Sequence, residues 1–220
     1  MINNRNFSGS NLVGKLPDSI PVFNAKGQFL LPGGQISLSI YETAYANMVQ
    51  DALAAKDRMI GICLSKKMDK VGGGEDFFEI GCAGRITSFE ETIDGKFLIT
   101  LTGMLRFALI EEVPTLRKYK RFSVDWSSYE DDLVINPNPQ IDREKLVKLI
   151  KKYSESLSID MDWSILDSTP GFGIVTFFAM NLPFDDEIRQ LLLQAQTVED
   201  RAETLAAVIE SEFSRVAGKK

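Results

Sequence analysis

The chain has 220 residues, of which 44% are hydrophobic, 10% aromatic and 25% charged, with a formal net charge of −6. That balance describes a globular protein with apolar surface enough for one large core or two small ones, and it excludes global disorder. No Lys/Arg cluster stands out beyond Arg117, Lys118, Lys120 and Arg121, so neither nucleic acid nor an anionic membrane surface is an expected partner.

The sequence contains no histidine, which removes Ser-His-Asp and Cys-His nucleophilic catalysis, histidine general bases and most zinc enzymes. Cys63 and Cys82 sit in apolar strand-like runs at a spacing unlike a zinc site, and read as two buried free thiols. No run reaches the ~18 apolar residues of a membrane helix. The polar opening, residues 1–15, lacks the apolar stretch of a secretory signal, so a cytoplasmic protein is expected.

In chain order, residues 1–15 read as a flexible tail. Strand-like text follows at Ile20-Pro21-Val22-Phe23 and Phe29-Leu30-Leu31. Pro32-Gly33 suits the central positions of a type II turn, since proline presets the first φ and glycine accepts a positive second one. Ile36, Leu38 and Ile40 then alternate with Ser37 and Ser39, the period of a half-buried strand. Tyr45, Met48, Val49, Ala52 and Leu53 recur at helical spacing behind Thr43, the expected N-cap. Met59 to Leu64 reads as a central strand. Lys66 to Asp76, with Gly72-Gly73-Gly74 inside, reads as a hairpin loop. Phe78 to Phe89 is strand-like, and Asp94-Gly95 predicts a two-residue hairpin turn into Phe97, Ile99 and Leu101. Gly103 is expected to break that run, which resumes from Phe107 to Val113. Phe122, Val124 and Trp126 make a last alternating strand.

Residues 127–141, rich in Ser, Asp, Asn and Pro, read as a linker. The period then becomes helical. Leu146, Leu149, Ile150, Tyr153 and Leu157 form one stripe. Phe172 to Met180 is apolar nearly all round and is expected to be the buried helix. Phe184 to Gln194 predicts a shorter helix with acids in its first turn, where they complement the dipole. Thr197-Val198-Glu199-Asp200 resembles a capping box with aspartate in the acid position. Val198, Ala202, Leu205, Ile209, Phe213 and Val216 make a long amphipathic stripe. The expected fold is α+β: an N-terminal β-rich pseudobarrel over residues 16–126, a linker over 127–141, and a C-terminal α-helical bundle over 142–217.

Short motifs in this order resemble the Lon protease N-terminal, substrate-binding domain family. They are Leu16-Pro17, Ile20-Pro21-Val22-Phe23, Leu31-Pro32-Gly33-Gly34-Gln35, and Ile36 through Tyr45. Further along come Gly81-Cys82-Ala83-Gly84-Arg85-Ile86, Gly103-Met104-Leu105-Arg106-Phe107, and Leu191-Leu192-Leu193 with Glu199-Asp200-Arg201. The resemblance covers roughly residues 16–215. Two departures stand out: Asn24 follows Phe23 where the family usually has proline, and Tyr41-Glu42-Thr43-Ala44-Tyr45 lacks the family's arginine. The resemblance implies a module that holds unfolded or client polypeptides. No G-x-x-x-x-G-K-[ST] loop occurs, so neither the ATPase nor the Ser-Lys protease of a full-length Lon protease is expected, and no enzyme. An adaptor or regulator of a full-length Lon protease, and an ATP-dependent peptidase, remain as alternatives.

Each candidate site residue has a plainer role beside the functional one. Gly72-Gly73-Gly74 precedes Glu75-Asp76, which would repel phosphate, and no P-loop lysine follows. Asp160, Asp162 and Asp167 lack the remaining ligands of a calcium loop, and capping before Trp163 is the better reading. No G-x-S-x-G elbow is present. No cofactor or metal is expected. Glu42, Arg85 and Arg106 read either as structural ion pairs or as groups that fix a peptide backbone. Met68, Phe77 and Phe78 flank the glycine loop and read either as strand core or as apolar contacts for a client. The expected binding mode is burial of client apolar side chains in a shallow groove between the β half and the helices.

Overall fold

A computed structural model describes residues 16–24, 27–66 and 76–217. It divides into two compact units, Met1–Ile135 and Asn136–Lys220. The fold is α+β, with the strands in the first unit and a run of helices in the second.

The first unit holds β1 (Ser19–Phe23), β2 (Gln35–Ile40), α1 (Thr43–Ala54), β3 (Met59–Ile62), β4 (Ile80–Glu91), β5 (Phe97–Val113) and β6 (Arg121–Asp125). The sheet order is β2-β5-β4-β3-β1-β6, and β6 also pairs with β5. Five strands therefore close a ring: β5, β4, β3, β1, β6 and back to β5. Only the β1–β3 pairing is parallel; β1–β6, β3–β4, β4–β5 and β5–β6 are antiparallel. The 17-residue β5 serves two partners on one side: its first half pairs with β2 and its second half with β6. A core of Ile20, Val22, Met59, Cys63, Phe77, Ala83, Leu105, Phe107 and Val124 fills one region of the unit. Each large side chain among them contributes roughly 1.5–3 kcal/mol by leaving water.

The long β5 overturns the expectation of a break at Gly103. The strand runs straight through, and the glycine serves close approach instead. Gly33 N–H donates to Gly103 O, and Gly103 N–H donates to Gly34 O, at 2.9 and 2.8 Å. A Cβ at Gly103 would lie 2.1 Å from the carbonyl oxygen of Leu31. The turn that docks there is the expected one: Gly34 N–H bonds to Leu31 O, and Gly33 has φ +73°. The hairpin between β4 and β5 has three loop residues rather than two. Gly95 N–H donates to Thr92 O, Thr92 N–H donates to Lys96 O, and Gly95 alone takes a positive φ. That pattern is a turn followed by a left-handed bulge residue, a common three-residue hairpin.

Two further expectations are corrected at element ends. The N-cap of α1 is Glu42, not Thr43, and its side chain makes no capping bond. Residues 127–141 are not simply a linker. Ser127–Leu133 forms a 3-10 segment, kinked at Tyr129, that packs on β5.

The second unit contains α2 (Arg143–Ser156), α3 (Ile165–Ser168), α4 (Gly171–Asn181), α5 (Asp186–Gln194) and α6 (Val198–Ala217). Asp142 caps α2 by accepting from Lys145 N–H, and Asp185 caps α5 by accepting from Ile188 N–H. The capping box opening α6 is reciprocal: Asp200 N–H donates to the Thr197 hydroxyl at 3.0 Å, and Thr197 N–H donates to the Asp200 carboxylate at 3.1 Å. Helix α6 packs against α2, α4 and α5, and its Ala202, Leu205 and Ile209 are buried. On α4, Ile174, Val175, Phe178 and Ala179 are buried while Phe177 is half exposed.

Candidate functional site

Closure of the five-stranded ring leaves one strand unlike the others. Among the described residues, β2 has a single partner, β5, so its far edge is open. The Gly103 N–H to Gly34 O bond sets the phase of the ladder. With Gln35 opposite Thr102, the alternation of an antiparallel pair turns the N–H and C=O of Gln35, Ser37 and Ser39 away from β5. Side-chain contacts agree with that phase, because side chains approach most closely in the pairs that exchange no backbone bonds. Gln35 Nε2 donates to Thr102 Oγ1 at 3.1 Å, and the Ser37 and Thr100 hydroxyls lie 3.5 Å apart. The strand reads Gln-Ile-Ser-Leu-Ser-Ile. It carries none of the lysine, proline or inward charge with which edge strands are ordinarily shielded.

The strand ends in a small cleft. Phe23, Asn24, Ile40, Tyr41, Glu42 and Tyr45 line a space of about 140 Å³. The rings of Phe23 and Tyr45 meet edge to face, with centroids 4.7 Å apart. Tyr41 is 74% exposed. Asn24 is buried and donates to the Ser65 hydroxyl. The family's usual proline could not make that bond, which gives the departure at this position a structural use.

The other candidate residues lie elsewhere. Arg106 is 3% exposed, and its guanidinium is bound by Asp132: Nε to Oδ2 at 2.8 Å and Nη2 to Oδ1 at 2.7 Å. The Arg106 backbone N–H donates to the same carboxylate at 2.9 Å, and the guanidinium lies 4.6 Å from the Tyr129 ring centre. Arg106 is thus the clamp that fastens the 3-10 segment to β5. Phe77 is 6% exposed, within the barrel core, with its ring 5.9 Å from that of Phe122. Phe78 is half-buried beside it, and Arg85 is half-buried on β4 opposite Met59 and Thr102. Met68 and the glycine loop lie outside the described residues. Of the five described candidates, only Glu42 lines the cleft. The open edge of β2 is invisible in the sequence, because nothing local in a strand tells which neighbour it lacks.

The remaining chemistry is structural. Cys63 and Cys82 are buried free thiols, and burial pushes the Cys63 thiol far above its ordinary range. Asp162 accepts from the backbone N–H and hydroxyl of Ser164, and these bonds hold its carboxyl below the usual range. Among the described residues no group of His, Cys, Asp and Glu is arranged to hold a metal ion. None of the described helices is long and apolar enough to cross a membrane. Arg201 is buried and donates from Nε to Leu192 O at 2.8 Å, closing a carbonyl in the last turn of α5. This gives the Leu191–Leu193 and Arg201 motif its physical basis.

A strand ring with an appended edge strand, followed by a helical unit, aligns with solved Lon N-terminal domains. A Lon N-terminal domain protein from Xanthomonas campestris aligns with a TM-score of 0.58 and 22% identity, over 86% of this chain and 97% of that one. The N-terminal domain of a Mycobacterium avium complex Lon protease aligns at 0.58 and 16% identity, over 87% and 98%. The family model for the ATP-dependent protease La (LON) substrate-binding domain matches residues 19–210, and the chain belongs to that family. Among curated proteins, Lon protease 1 of Syntrophotalea carbinolica is 22% identical over 90% of this chain, and Lon protease of Parabacteroides distasonis is 24% identical over 92%. The chain spans 25% of the length of each.

Proposed function

We propose that this chain is a non-catalytic polypeptide-binding module, and that an extended client segment adds as a further strand to the open edge of β2. The observation that carries this reading is the unpaired edge of β2 among the described residues, uncharged and free of proline. The outer stretch of β4 beyond Arg85 also has β5 as its one partner, but it ends in Glu90 and Glu91, the kind of charge that shields an edge. Strand addition draws its affinity from main-chain bonds and therefore accepts many sequences. That tolerance suits a family described by substrate binding. Glu42, at the end of the same strand, is the one residue among the six candidates kept as a contact. Arg106 and Phe77 support the barrel, Phe78 and Arg85 do not line the cleft, and Met68 lies outside the described residues.

The expected affinity is micromolar, about −8 kcal/mol. The test is calorimetry with unstructured peptides, each compared with a copy N-methylated at alternate residues. The unmodified peptide binds and the N-methylated one does not, because its methyl groups remove the donors of the ladder. A protein variant, Ser37→Pro, removes one outward donor at an edge position where proline is tolerated, and weakens binding about tenfold. Absence of binding at millimolar peptide overturns the proposal. ATP-dependent casein degradation by the purified chain would establish a peptidase instead. Stable co-purification with a full-length Lon protease, without peptide binding, would establish an adaptor.

A further inference from the structure

The cleft at the end of β2 carries a preference that a plain sheet edge lacks. At about 140 Å³ it falls below the roughly 300–1,000 Å³ of an ordinary small-molecule site, and has room for one long side chain. Its lining includes three aromatic residues, Phe23, Tyr41 and Tyr45, and one acid, Glu42, beside Asn24, Ser39 and Ile40. Among the described residues that carboxylate has no partner. Glu42 is the N-cap of α1, yet its side chain makes no capping bond, and no cation among the described residues stands within ion-pair distance of it. The helix dipole favours an acid at this end of α1, but with no capping bond the carboxylate keeps its oxygens available to a cation. Aromatic faces and a carboxylate share one attraction, which is for a cation on an apolar stem. A client carboxylate would be repelled. A purely apolar client side chain would strip water from Glu42 and return nothing to it.

We propose that this cleft receives a lysine or arginine side chain of the polypeptide bound along β2. The proposal rests on the strand-addition reading, and the two fail separately. The test is fluorescence anisotropy with three labelled extended peptides, identical except for lysine, methionine or glutamate at one position scanned along the peptide. At one position the lysine peptide binds roughly fivefold tighter than the methionine peptide, the glutamate peptide binds most weakly, and the lysine advantage shrinks in high salt. Glu42→Gln brings the lysine peptide down to the level of the methionine peptide, with circular dichroism confirming an unchanged fold. Tyr41→Ser, a change at an exposed ring, reduces the same advantage. Equal affinities for the three peptides, or a preference that survives Glu42→Gln, overturn the basic-side-chain inference while strand addition stands. Failure of every peptide to bind overturns both.

Discussion

Replacing Asp132 with alanine strips a buried guanidinium of its partner. The Arg106 side chain is 4% exposed and that of Asp132 9%, and the carboxylate accepts three bonds, from Nε, Nη2 and the backbone N–H of Arg106. Each bond to a charged group is worth about 1.5–3 kcal/mol. They are not additive, and measured losses from breaking a buried pair cluster at about 3–5 kcal/mol. At about 2–4 °C per kcal/mol for a chain of this size, the melting temperature falls by roughly 6–20 °C. The two tryptophans divide between the units, Trp126 in the first and Trp163 in the second. A Trp163→Phe background therefore makes tryptophan fluorescence report the barrel unit alone. Asp132→Asn keeps one acceptor oxygen and falls between wild type and alanine. A drop below about 2 °C for Asp132→Ala would refute the claim that this ion pair anchors the 3-10 segment.

Other outcomes follow from the same geometry. Gly103→Ala places a Cβ against the Leu31 carbonyl and costs about 3 kcal/mol, read as a lower urea midpoint. Thr197→Ala removes half of the α6 capping box and costs about 1 kcal/mol in the same assay. Hydrogen bonds from Lys96 and Thr92 lower the Asp94 carboxyl to about 2. Its folded pKa lies below the unfolded value, so its contribution is present above about 3.8 and is lost as pH falls toward 2. A carbon-detected NMR titration places its midpoint near 2, and Lys96→Met raises it. Cys63 and Cys82 resist a thiol reagent at neutral pH until denaturant exposes them.

Much of this architecture is legible in the sequence because its causes are local. The two-residue alternation of Ile36, Leu38 and Ile40, the turn glycine at 33 and the capping box at 197–200 each rest on neighbours a few positions away. What is not legible depends on partners far along the chain. Asp132 sits in a polar stretch that reads as a linker, because only Arg106, 26 residues earlier, makes it an anchor. Gly103 reads as an interruption, because the Leu31 carbonyl that excludes a side chain comes from the turn before β2, some seventy residues earlier. The β4–β5 loop differs by one residue from its expected length because Asp-Gly suits both loop sizes. The proposed site follows the same rule: an acid at position 42 is visible, but the edge of β2 left unpaired among the described residues is a property of the completed ring.

The position of β1 constrains how this barrel assembles. It lies between β3 and β6, with Ser19 opposite Ser123 and Val22 opposite Gly61. The earliest strand to be synthesised thus waits for the latest before the ring can shut, and the loop closed is most of the unit. Folding dominated by such distant pairings is slow, and until β6 docks, β1 and the second half of β5 stand as raw edges. The order of strands around the barrel therefore makes the nascent form of this protein as much in need of protection as any polypeptide it would hold.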